Sequence, residues 1–123
     1  MIRIDAALDK AGLLKSCCVT GHAMAGPKGS DVVCAAVSVL TRTAFRTLAD
    51  REGITLKGGA SERGVFRMET AASAEARPFL AGAGAFLIEG LRSVAEQYPE
   101  YCNMHIYTDE RPTDARLTDS GPN

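Results

Sequence analysis

No Cys-x-x-C pair occurs among the 123 residues, which removes the usual spacing of zinc sites and of thioredoxin-like redox sites. No run of lysine or arginine occurs either. Fourteen basic and fifteen acidic residues leave a net charge of -1, so no direct nucleic-acid partner is expected. Nowhere does the chain approach the roughly 20 consecutive apolar residues that a membrane-spanning helix needs. The opening Met1-Ile2-Arg3-Ile4-Asp5 lacks the apolar run of a signal peptide. The expectation is a cytoplasmic protein with no membrane association. Internal repeats and low-complexity blocks are also missing. What remains, 24% charged and 46% apolar residues, is the profile of a soluble globular chain long enough for one domain.

Hydropathy patterning then orders the elements. Met1 to Ala6 reads as a strand, Asp9 to Gly12 as a turn, and Leu13 to Thr20 as a second strand hairpin-paired to the first. Three glycines and Pro27 between Gly21 and Ser30 predict a loop. A helix is expected from about Asp31 to Arg51, because Val33, Val37, Leu40, Ala44 and Leu48 fall on one face. Ser30 or Asp31 can cap it. Ile54 to Ala60 and Val65 to Thr70 read as strands, and Pro78 to Tyr98 as a helix carrying Phe79, Ala83, Phe86, Leu87, Leu91 and Val94 on one side. Gly82, Gly84 and Gly90 in that helix suggest close packing against a neighbour. Cys102 to Thr108 closes the series as a strand. The fold class expected is α+β: a β-β-α-β-β-α-β sandwich, two helices against a mostly antiparallel sheet. Residues 1–108 form the expected domain, and 109–123 a polar, flexible tail.

Four cysteines in a reducing compartment are by default free thiols, most of them buried. Cys17 and Cys18 are adjacent in a strand and should face opposite ways. Cys34 is different, because it follows a glycine-rich loop and sits just inside the expected helix start. There the free N–H groups and the helix dipole favour a thiolate and offer donors to an oxyanion. His22 lies twelve positions earlier, and the loop containing Gly26, Pro27 and Gly29 can fold back to bring its imidazole to the sulfur. Ser38 shares a helix face with Cys34; it can bond the imidazole or thiolate, or the Cys34 carbonyl. Asp31 reads as a helix cap rather than a triad member. His105, mid-strand, reads as structural. A zinc site from Cys17, Cys18, His22 and Cys34 fits no standard spacing, so neither metal nor cofactor is expected.

The run Gly21-His22-Ala23, then Gly29, then Asp31-Val32-Val33-Cys34-Ala35-Ala36-Val37-Ser38 closely resembles the ribosomal-processing cysteine protease (Prp) family. The later helix ending in Tyr98-Pro99-Glu100-Tyr101 is similar at the level of pattern. The resemblance implies a bacterial cytosolic cysteine endopeptidase, usually a homodimer, that removes a short N-terminal extension from the twenty-seventh protein of the large ribosomal subunit. It implies His22 and Cys34 as the catalytic dyad, with Gly21, Asp31 and Ser38 as supporting positions. The loop carrying Ala23, Met24, Gly26 and Gly29 would touch the substrate, a ribosomal protein precursor. Thr20 replaces the family's serine and keeps its hydroxyl. The alternative is a non-catalytic dimeric module for ribosome assembly or protein binding, with His22 and Cys34 structural.

Overall fold

Alternation along β1 (Ile2–Leu8) sets the architecture. Ile2, Ile4 and Ala6 are buried, while Arg3 is exposed and Asp5 half-exposed, as a strand with one covered face requires. The computed structural model describes residues 1–21, 28–62 and 64–111, without the side chains of 28–31, 61 and 62. The elements that follow are β2 (Leu14–Thr20), α1 (Lys28–Leu48), β3 (Ile54–Glu62), β4 (Val65–Ala72), α2 (Arg77–Gln97) and β5 (Cys102–Thr108). A 3-10 turn, Ala74–Ala76, leads into α2. The expected order of elements is therefore present.

The strands form one sheet in the order β3-β4-β2-β1-β5. Only the β1–β5 pair is parallel; the other three are antiparallel. Register aligns two apolar rows across the sheet. Ile4 lies opposite Val19 and beside Met104, and Cys17 lies between Ala6 and Met68. These residues join Val33, Val37 and Leu48 of α1 and Leu80, Leu87, Ile88, Leu91 and Val94 of α2 in one core. Each fully buried aliphatic side chain there contributes about 1.5–3 kcal/mol. The two helices lie side by side, α1 over β3 and α2 over β2 and β5. Arg67, Cys18, Asp5 and His105 are in register on the opposite face of the sheet, away from the helices.

Three expectations are corrected. The first helix begins at Lys28, not near Asp31, so Gly29, Ser30 and Asp31 lie inside it and neither Ser30 nor Asp31 is its cap. A glycine in a helix costs only about 1 kcal/mol, less than the burial of Val33 and Val37 that anchors this end. Phe86 does not face the core but is 76% exposed; Leu80 and Ile88 are buried instead. The segment after β5 does not begin as a free tail. Asp109 N–H donates to the Leu8 carbonyl at 2.8 Å, and the Lys15 ammonium, 1% exposed, donates to the Asp109 carbonyl at 3.0 Å and to the Arg111 carbonyl. A buried ammonium needs acceptors, and these backbone carbonyls supply them. The rest of the expected tail, 112–123, lies outside the described residues.

Candidate active site

The end of the molecule where β2 finishes and α1 starts brings several chain segments together. Topology places the first residues of β1, β4 and β5 there, along with the last turn of α2. Ile2 N–H donates to the Tyr101 carbonyl at 2.8 Å, tying the connection after α2 to the start of β1. Half-buried Tyr98 and Tyr101 pack against the core at this end.

Gly21 is the last described residue before the connection to α1. Its φ is +95°, a left-handed conformation that side chains disfavour, and a Cβ there would overlap the Met1 carbonyl oxygen. Its N–H donates to the Gly64 carbonyl at 3.0 Å, and Gly64 itself has φ +80°. The sequence suggests a turn over residues 61–64, whereas β3 runs on to Glu62, and nothing in those residue types signals the tie from Gly64 to Gly21. Such a tie depends on β4 pairing with β2, a long-range choice.

Cys34 is half-buried in the second turn of α1, between buried Val33 and half-buried Ala36, and it packs against the core. It stands six residues after Lys28, about 9 Å along the axis. The free N–H groups at the helix start therefore belong to residues 28–31, and the backbone of Cys34 lies within the helical ladder. This moves the cysteine's backbone further from the helix end than the expected first-turn position. The Cα–Cβ bond tilts toward the helix N-terminus, however, which carries the sulfur back over the preceding turn. Ser38 follows one turn later and is exposed; its carbonyl accepts from the Thr41 hydroxyl at 3.3 Å. Of Gly29 and Asp31 only the backbone, inside α1, is described. His22, Ala23, Met24 and Gly26 lie outside the described residues.

The other thiols and the other imidazole are placed elsewhere. Burial, with Cys18 and Asp5 adding to it, pushes the Cys17 thiol up to about 12, and burial also raises that of Cys102. Both stay protonated and inert at neutral pH. Cys18 lies on the sheet face away from the helices, opposite to Cys17, as strand alternation predicts. This divergence prevents the two from sharing a metal ion. Among the described residues, no group of three or more His, Cys, Asp or Glu is placed to hold one. His105 is exposed on that same open face beside Asp5. The chain contains two histidines. His105 therefore lies on the sheet face opposite the helix that carries Cys34.

The sequence model of the cysteine protease Prp family matches residues 1–103. The chain belongs to the cysteine protease Prp family. Its enzyme class is accordingly that of a cysteine peptidase. No curated protein matches it in sequence. The Prp fold is also seen in solved structures. An essential ribosomal processing protease Prp from S. aureus, in complex with a substrate peptide, superimposes with a TM-score of 0.73 at 18% identity, covering 86% of this chain and 99% of that one. The same protease with a covalently linked product peptide gives 0.72 at 19% identity, over the same shares of the two chains. The protein SMU.848 from Streptococcus mutans gives 0.69 at 28% identity, covering 89% of this chain and 96% of that one. No helix among the described residues is long and apolar enough to cross a membrane.

Proposed function

We propose that this Prp-family chain is a cytosolic endopeptidase that removes the N-terminal extension of the twenty-seventh protein of the large ribosomal subunit, through a His22–Cys34 dyad. The observation that carries the reading is the exclusion among the other candidates. Cys17 and Cys102 are buried with raised thiol pKa values, and Cys18 and His105 face away from the helices. Cys34 is the half-buried thiol on the helical side, and the family match spans His22 and Cys34. The S. aureus Prp structures with substrate and covalently linked product peptides support a peptide as the substrate.

In this mechanism His22 accepts the Cys34 thiol proton, and the thiolate sulfur attacks the scissile carbonyl carbon. The carbonyl π electrons move to oxygen, and N–H groups in the first turn of α1 stabilise that oxyanion. Collapse expels the amine, which takes the proton from His22 and leaves a thioester on Cys34. Water then attacks the thioester as His22 accepts its proton, releasing the acid and restoring the thiol. Because the helix dipole fades within a turn, the imidazole supplies most of the thiol activation. Gly21, Asp31 and Ser38 support the dyad in this reading, and residues 23–29 contact the substrate. A homodimer belongs to the same reading. It is supported by an apolar groove of about 310 Å³ between α1 and α2, lined by Val39, Ala44, Ala83 and Phe86, and is checked by sedimentation.

Replacing Cys34 by alanine should abolish cleavage of a precursor carrying the extension and leave the circular dichroism spectrum unchanged. In a Cys18→Ser background, Cys34 should alkylate at mildly acidic pH, and His22→Ala should slow that reaction. Cleavage that survives Cys34→Ala ends the proposal.

A further inference from the structure

We infer that Gly64, at the corner of the β3–β4 hairpin, is a positioning residue: its carbonyl holds the Gly21 amide and so sets the direction in which the chain leaves β2 toward His22. The inference rests on the His22–Cys34 reading above.

The β2–β4 ladder pairs Ser16 through Thr20 with Glu69 through Val65. The bond from Gly21 N–H to the Gly64 carbonyl, 3.0 Å, continues one step past the last pair of that ladder. It joins two residues that are both left-handed, at φ +95° and +80°. Neither is buried in the core: Gly21 is exposed and Gly64 half-buried. On its other side Gly21 meets the Met1 carbonyl, which occupies the space a side chain would need. The peptide before His22 is thus clamped between the hairpin corner and the start of β1. The backbone direction is therefore set at Gly21, the last described residue before the connection to α1. A general base works only within hydrogen-bond reach of its proton, and a displacement of about 1 Å costs on the order of 10²-fold in rate.

Alanine at position 64 is disfavoured in the left-handed region, and relaxing out of it moves the carbonyl. Asparagine tolerates that region and keeps the carbonyl in place. Gly12 supplies a matched control at the far end of β2. Its φ is +88° and a Cβ there meets nothing within 4 Å, so Gly12→Ala carries comparable backbone strain away from the site.

The experiment compares wild type, Gly64→Ala, Gly64→Asn and Gly12→Ala on a synthetic peptide spanning the extension junction, with thermal unfolding of each. The pH profile of Cys34 alkylation is measured alongside, in the Cys18→Ser background. Gly64→Ala should lower kcat by about tenfold or more, with KM within about twofold. Its alkylation profile should shift toward that of His22→Ala. Gly64→Asn should recover most of the rate, and Gly12→Ala should keep the wild-type rate while melting at a temperature similar to that of Gly64→Ala. Full activity in Gly64→Ala, equal losses in Gly64→Ala and Gly12→Ala, or no recovery in Gly64→Asn would each overturn the inference. A wild-type protein with no cleavage and no His22-dependent alkylation would instead sink the underlying dyad, and the inference with it.

Discussion

Lys15 shows how one residue ties the segment after β5 to the sheet. Its ammonium is 1% exposed, and its partners are the carbonyls of Asp109 and Arg111 and the Asp109 carboxylate at 3.4 Å. All lie beyond residue 103, where the family match stops. Arg111 bonds the same carboxylate from its side chain and its backbone, and together with Lys15 holds the Asp109 pKa far below the ordinary carboxylate range. The sign follows from proton binding: as pH falls, the unfolded chain protonates Asp109 before the folded one does. The contribution of Asp109 is therefore complete above about pH 4 and is lost as pH falls below it. Thermal unfolding at pH 7 and pH 3 should show a smaller drop in Asp109→Asn than in wild type. An equal drop would mean that the contact does not stabilise the fold. A sequence shows Lys15 only as a charged residue in an apolar strand, because its acceptors are 94 and 96 residues away.

At the scale of elements, local period carried most of the information. Alternation revealed the strands, and the spacing of Val33, Val37, Leu40, Ala44 and Leu48 revealed α1, all five of them buried or half-buried. Pro99 marked the end of α2, which closes with the Tyr98 N–H on the Val94 carbonyl at 2.9 Å. The start of α1 was less legible, since glycine disfavours a helix locally and only packing of the whole face outweighs it. The glycines of α2 separate in the same way. A Cβ at Gly84 would lie 3.0 Å from Leu14 Cβ, and one at Gly90 2.8 Å from Leu40 Cδ2, whereas at Gly82 it would meet nothing. Gly82→Ala should therefore raise stability by about 1 kcal/mol, and Gly84→Ala should lower it, because a Cβ on a strand cannot swing aside. Urea unfolding checks both; a stabilising Gly84→Ala would show that the helix and sheet are less closely packed than this.

For the whole molecule, stability should follow the strand order. β4, β2 and β1 have neighbours on both sides, while β3 and β5 are edges. Amide exchange should be slowest in the three central strands and faster at Thr55 and Tyr107 on the edges. Uniform protection across all five strands would contradict this. The cysteine-protease class was readable from the resemblance across Gly21 to Ser38, because the residues that carry it lie within one short stretch of chain. The number and kind of elements were readable too, since period 2 and period 3.6 are properties of neighbouring residues. Tertiary structure alone decided which strands pair, which thiols are sealed in, that His105 faces away from Cys34, and that Gly64 meets Gly21. Each of these depends on contacts between residues far apart in sequence, whose register is set by burying one apolar face of the whole sheet.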